Sequence, residues 1–206
     1  MNSAAPTPAS PLVLASGSPR RAEILTALGI PFETEVPGVD ETVRPGETGE
    51  AAVSRLSAAK AAEVAARRPG RAILAADTLV LLDGEILGKP ADREDAARML
   101  ARLAGREHRV VTAVRLRLGP DPGREIVEES RVRMSPLSPG EIGWYVRTGE
   151  PLDKAGAYAV QGLGARFIEG VAGSFTNVMG LPARGVYRLL REARDPALAR
   201  LALASP

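Results

Sequence analysis

Apolar residues along the chain fall into short blocks parted by polar, glycine-bearing turns, and the spacing inside each block separates strands from helices. Leu12 to Ala15 is a continuous apolar run of strand length, which predicts a buried strand. Ser16, Gly17 and Ser18 make a small polar turn, and Pro19 then opens a helix to Leu28. Ile24, Leu25 and Leu28 share one face of that helix and Gly29 stops it. Ser18 suits the N-cap and Pro19 the first helical position, where a missing N–H goes unfelt. Phe32 to Val36 predicts a short strand, and an alanine-rich helix capped by Thr48 runs from about Gly49 to Arg67, ended by Pro69-Gly70. Ala72 to Ala76 reads as a second buried strand with Asp77 at its end, the chain staying extended to Leu82. Asp83-Gly84 signals a hairpin into Glu85 to Leu87.

Asp92 caps a helix through Leu103 that Gly105 stops. Two long strands follow, Glu107 to Leu118 and Glu125 to Met134, joined by a turn over Gly119 to Gly123. Ser138 or Pro139 opens a helix reaching about Thr148. Gly149 to Gly164 has no period and reads as loop; Phe167 to Val171 is a strand candidate, and Leu181-Pro182 leads into a last helix to about Arg194. Helices alternating with strands, combined with two hairpins, predict an α/β fold with a mixed sheet rather than a strictly parallel one.

Composition narrows the chemistry more than the fold. The 206 residues suit one domain or two small lobes; 45% are hydrophobic but only 3% aromatic, so the core is aliphatic. A formal charge of +2 argues against a dedicated nucleic-acid binder. With no Cys and one His, His108, the chain offers neither disulfides nor a thiolate or multi-histidine zinc site. Any metal is expected to be hard and oxygen-ligated, Mg²⁺ or Mn²⁺. No apolar run approaches the ~20 residues of a membrane span. Met1 to Pro11 reads as a disordered tail, not a signal peptide, and residues 196–206 as a C-terminal tail, leaving one domain over residues 12–195 and a cytoplasmic location.

The candidate chemistry starts at the strand–turn–helix of residues 12–29. Arg20 and Arg21 stand in the first helical turn, where cations oppose the helix dipole, and an anionic ligand there would give them a reason. Solvated arginines at a plain βα junction are the bland alternative. Asp77 at a strand's carboxyl end would open into the crevice where α/β sheets bind ligands; a turn-capping Asp is the alternative. Lys89 lies in Gly88-Lys89-Pro90, and Lys60 on the alanine-rich helix, where a solvated lysine is the ordinary case. Glu41 sits in a polar loop and is weak alone. The aperiodic stretch Gly149 to Gly162 is long enough to be a functional loop, with Lys154 able to meet phosphate and Gln161 able to lie against a ligand. Gly173 to Pro182, with Asn177, suggests a turn backing a site, and His108 reads as structural. No nucleophile elbow, GxxxxGK[ST] or GxGxxG occurs. Two carboxylates, several cations and an anion-binding turn suit metal-assisted phosphate chemistry.

Six motifs, in order, resemble the Maf (septum formation protein) family of nucleoside triphosphate pyrophosphatases: LASGSPRR (Leu14 to Arg21), AADTLV (Ala75 to Val80), GKP (Gly88 to Pro90), HRVVTAV (His108 to Val114), GEPLDKAGAYAVQG (Gly149 to Gly162) and GSFTNVMGLP (Gly173 to Pro182). The fifth, with Gln161, looks like the subgroup that hydrolyses dTTP and UTP. Ala159, Ala113 and Ala183 depart from the family's usual Gly, Gly and Leu, and touch packing rather than charge. The resemblance implies an elongated mixed sheet flanked by helices, in two lobes with a central cleft, similar to inosine triphosphate pyrophosphatases. It further implies Asp77 as general base or metal-holding carboxylate and Glu41 as a second acid near the metal. Ser16, Arg21, Lys60 and Lys89 would grip the triphosphate, and Arg20, Thr78 and Gln161 would choose the base. A homodimer is expected on the same ground. Other readings are a pyrophosphatase for modified or methylated nucleotides, and a non-catalytic nucleotide-binding regulator of cell division.

Overall fold

A computed structural model describes residues 12–119, 121–193 and 196–201. The expected tail over residues 1–11 lies outside them. Strands β1 (Leu12–Ala15), β2 (Phe32–Glu35), β3 (Ala72–Leu82), β4 (Glu85–Leu87), β5 (Glu107–Leu118), β6 (Arg124–Met134) and β7 (Ile168–Ala172) form one sheet. Its order is β2-β1-β3-β5-β6-β7, with β4 beside β3. β1 pairs in parallel with β2 and β3, and the remaining pairings are antiparallel. The sheet is therefore mixed, as expected. Parallel pairing arises where α1 (Pro19–Ala27) and α2 (Gly49–Arg67) cross over; tight turns make the antiparallel hairpins β3–β4 and β5–β6, while β5 returns beside β3 and β7 beside β6 after longer connections. Asp83 and Gly84 take φ of 52° and 86°, the left-handed pair a two-residue hairpin requires.

β3 is the axis of the molecule. One of its edges is covered by β5 along almost its whole length. The other is shared: β1 pairs with Ile73 to Ala75, and β4 with Val80 to Leu82. Between them, residues 76–79 have no strand on that side, so the sheet carries a gap. Asp77 was expected at a strand's end; it lies instead in the middle of β3, because the strand continues past the end of β1 to pair with β4. The opening expected at the end of a strand is here an opening in the sheet.

α2 covers one face with small residues, Ala52, Ala61 and Val64 packing on Val13, Ile73, Ala75, Leu79 and Leu81. The opposite face carries two apolar clusters. One joins β1, α1 and α6 (Ala183–Arg191) through Leu14, Leu25, Leu74 and Leu189. The other joins β4, α3 (Arg93–Leu103) and α4 (Pro139–Arg147) through Leu82, Leu100, Val132 and Tyr145. A belt of buried polar groups separates them. Thr78 and Thr112 have their hydroxyls 2.9 Å apart. Thr112 donates to the Asn177 carbonyl at 3.2 Å, and Asn177 Nδ2 donates to Val110 O and Ser130 Oγ. Asn177, on the short helix α5 (Phe175–Met179), thus ties strands together behind the gap.

Two boundaries differ from expectation. The last long helix ends at Arg191, and the region expected as a C-terminal tail opens with a helix, α7 (Pro196–Leu201), whose Leu198 and Leu201 are buried in the first cluster. Alanine and leucine made that end look featureless, but two leucines a helical turn apart suffice to dock it.

Candidate active site

The gap in the sheet opens into a cavity of about 430 Å³, a size suited to a small-molecule ligand. The turn after β1 and the start of α1 bring Ser16, Arg20 and Arg21 to one side; Lys89, just past β4, approaches from the other. β3 contributes two neighbours, Asp77 and Thr78, from opposite sheet faces. Consecutive strand residues ordinarily serve different compartments. Here both reach one cavity because no strand closes the edge between them. All ten residues expected to form the site, Ser16, Arg20, Arg21, Glu41, Lys60, Asp77, Thr78, Lys89, Lys154 and Gln161, line this cavity.

Lys60 is the centre of charge. α2 lays it across the α2-facing side of β3, and the side chain expected as solvated in the ordinary case is only 4% exposed. Its ammonium lies 2.5 Å from Asp77 Oδ1 and 2.7 Å from Glu41 Oε1. Burial pushes the Asp77 carboxyl above its usual range, against the opposing charges of Lys60 and Arg21. Burial also favours a raised Glu41, but the Lys60 hydrogen bond and the charges of Lys60, Lys89 and Arg21 hold that carboxyl below its usual value. The two acids around one cation are thus shifted in opposite directions, the buried one upward and the exposed one downward.

Arg21 is buried, and its guanidinium is anchored on three sides. Nε donates to Gly180 O at 2.9 Å, Nη1 to Ser16 Oγ at 3.1 Å and Nη2 to Thr78 Oγ1 at 3.3 Å. Three of its five N–H groups are spent on protein, which leaves two for a ligand. Ser18 occupies the N-cap position of α1, but its side chain does not cap. Its own N–H donates to Ser16 Oγ at 3.1 Å, since the turn curls toward the serine that also serves Arg21. The first turn of α1 carries no acidic residue, and its Ser18 cap leaves the helix terminus open toward an anion.

The facing wall is residues 149–164, expected as loop and built of three single-turn helices, Glu150–Asp153, Ala155–Ala157 and Leu163–Phe167. Lys154 does not reach freely into the cavity: its ammonium donates to Glu150 O at 2.8 Å and to Asp153 Oδ1 at 2.5 Å. Asp153, which sequence reasoning missed, lines the cavity and stands 3.9 Å from Arg20. Gln161 is exposed at the rim. Tyr158 also lines the cavity and went unnoticed; its hydroxyl lies 2.8 Å from His108 Nε2, and the two rings meet edge to face at 5.2 Å. Burial lowers the His108 pKa to about 4, so this histidine is neutral and structural, as its strand position suggested. No signal short of a motif marks Asp153 or Tyr158, because no periodicity runs through this segment. Among the described residues no group of three or more His, Cys, Asp or Glu side chains is disposed to hold a metal ion.

The family model described as "Maf-like protein" matches residues 11–193. The dTTP/UTP pyrophosphatase of Anaeromyxobacter sp. (strain Fw109-5) is 52% identical over 189 residues, covering 90% of each chain. That of Symbiobacterium thermophilum is 49% identical over 187 residues, covering 90% of this chain and 95% of the relative. Among solved structures, the Staphylococcus aureus Ham1 protein superposes with a TM-score of 0.43 and 16% identity, over 77% of this chain and 91% of that one.

Proposed function

The chain belongs to the Maf-like family, and on that premise we propose that it hydrolyses dTTP and UTP to the monophosphate and pyrophosphate. The observation that carries this reading is the buried Asp77–Lys60 pair, joined from the cavity's exposed side by Glu41, in a cavity that also gathers Arg20, Arg21 and Lys89. Water attacks the α-phosphorus in line, and the α–β phosphoanhydride bond breaks. Asp77 orients that water and takes its proton; a carboxylate made more basic by burial is suited to this. Lys60, Lys89 and Arg21 offset the charge that builds on the departing pyrophosphate. Ser16 and the open start of α1 supply further donors for phosphate oxygens.

The acids fit a hard divalent ion of the kind that relies on substrate oxygens for the rest of its shell. Lys60 already stands as a cation between two carboxylates, and two such ligands plus phosphates are a common Mg²⁺ arrangement. Asp77 and Glu41 would hold Mg²⁺ or Mn²⁺, which when bound supplies charge neutralisation at the phosphates. Gln161, with Arg20 and Thr78, meets the base: its amide offers a donor and an acceptor, matching O4 and N3–H of uracil or thymine. A site of this kind discriminates strongly because a wrong base leaves polar groups unpaired. Among the described residues no helix is long and apolar enough to cross a membrane. A cytoplasmic location and a homodimer belong to the same reading, the former supported by where nucleotide pools reside, the latter checked by sedimentation.

The test is pyrophosphate release from a panel of canonical, modified and methylated nucleoside triphosphates, with Mg²⁺, with Mn²⁺ and with chelator. Metal-dependent turnover of dTTP and UTP, abolished by chelator, is expected. Turnover confined to a purine or methylated nucleotide would overturn the base assignment, and none at all would make the protein a nucleotide-binding regulator.

A further inference from the structure

Gln161 has no element of its own to hold it, yet its neighbours on both sides are fixed by one pair of side chains. The N–H of Ala159 donates to the Tyr145 hydroxyl at 3.0 Å. The N–H groups of Leu163 and Gly164 donate to the two carboxylate oxygens of Glu150, at 2.8 and 2.9 Å. The Tyr145 hydroxyl in turn donates to Glu150 Oε2 at 2.6 Å. The chain from 159 to 164 is therefore clasped at both ends by two groups bonded to each other, and Gln161 lies inside the clasp. Every outward N–H in this circuit ends on an oxygen, and the Tyr145 hydroxyl spends its one proton and accepts one bond.

The fit leaves no slack. A Cβ on Gly162 would stand 2.1 Å from Glu150 Oε1, and one on Gly164 2.5 Å from the Tyr145 hydroxyl and 2.7 Å from Ala159 O. Both glycines are there because the clasp fills the space a side chain would take. The clasp is also anchored. Tyr145 is fully buried on α4, its ring edge to face with Phe167 at 5.5 Å. The Glu150 carboxyl is held below its usual value even though burial alone would raise it, because Tyr145 and the two N–H groups favour its charged form.

We infer that Tyr145 and Glu150 are positioning residues for base recognition: they hold Gln161 at the cavity rim and so set the enzyme's choice of nucleotide without touching substrate. The inference rests on the reading that Gln161 meets the base. It predicts a separation of effects, since the clasp lies on the turn-built wall and Asp77 on the sheet.

The experiment measures kcat and KM for UTP and GTP in Tyr145→Phe, Gly162→Ala and Gln161→Ala, with melting temperatures alongside. Tyr145→Phe keeps the buried ring and removes only the hydroxyl; Gly162→Ala pushes Glu150 away from outside. In both, the preference for UTP over GTP is expected to fall about tenfold, the scale of one lost hydrogen bond. The fall should enter through KM for UTP, with kcat within about twofold of wild type. If Gln161→Ala loses the preference while both clasp variants keep it, the clasp inference is wrong and the base reading stands. If Gln161→Ala keeps it, the base reading fails and takes the clasp's role with it. A loss of kcat on both nucleotides in step with a lower melting temperature would mean that the clasp is only structural, which also overturns the inference. Should Tyr145→Phe fail to fold, Gly162→Ala answers the same question.

Discussion

The two walls of the cavity are built in opposite ways. On the sheet side, Ser16, Arg21, Lys60 and Asp77 sit on regular elements or one residue beyond them, and all are buried. Their positions follow from strand register and helix packing, which many main-chain bonds enforce together. On the facing side, Lys154 and Gln161 sit between single-turn helices whose place depends on a few side chains: Glu150, Tyr145, Asp153 and Tyr158. In the proposed reading the first wall carries most of the groups assigned to the phosphates, and the second carries Gln161, assigned with Arg20 and Thr78 to the base. Under that reading, main-chain geometry aligns the reacting atoms, and a few side-chain bonds place the group that reads the ligand's identity.

Perturbing each wall separately sharpens that contrast. The largest effect is expected on the sheet side. Asp77→Asn should lower kcat for UTP by about 10²–10⁴-fold, the range for a lost general base, while leaving the UTP-to-GTP ratio unchanged. Near-normal turnover would remove Asp77 from the chemistry, and a changed ratio would show that the walls are not independent.

His108 is where the sheet meets the turn-built wall, through Tyr158. Its pKa, near 6.5 when unfolded, is lowered to about 4 by burial. Between those values the unfolded chain binds a proton that the folded one does not, so stability is intact above pH 6.5 and declines as pH falls toward about 4. The slope from this group approaches about 1.4 kcal/mol per unit. His108→Gln should flatten that part of the profile in denaturant titrations at pH 4.5 and 7.5; an unchanged slope would exclude His108 as its source.

The smallest effect is expected at the start of α4, the helix that carries Tyr145. Ser138 Oγ accepts from the Glu141 N–H at 3.3 Å and the Glu141 carboxylate accepts from the Ser138 N–H at 2.7 Å. Ser138→Ala should cost about 1 kcal/mol in unfolding free energy and leave kcat untouched. A larger loss would show that the turn-built wall is less well anchored than its buried tyrosine suggests.

The same contrast governs what could be read in advance. Strands β1, β3 and β5 and helices α1 to α4 follow from apolar spacing and from caps such as Thr48, Asp92 and Ser138, which are local properties. Asp77 was recognised but misplaced within its strand. That β1 and β4 share one edge of β3 and leave a gap is a fact of pairing between segments far apart in the chain, which no local pattern encodes. Ser18 was expected to cap α1 with its side chain, but Ser16 and Arg21 draw the turn another way. Glu150 and Tyr145 were invisible because their partners are main-chain groups in an aperiodic stretch. His108, by contrast, could be set aside as structural from its position on a strand.

The cavity's charges have a consequence for how a ligand arrives. Five cations line it, Arg20, Arg21, Lys60, Lys89 and Lys154, against three carboxylates, Glu41, Asp77 and Asp153. The surplus equals the formal charge of the entire chain, +2, so the charged side chains everywhere else cancel. Seen from a diffusing polyanion, the mouth carries the chain's net positive charge. Encounters near the mouth are drawn in over roughly a Debye length, about 8 Å at physiological salt.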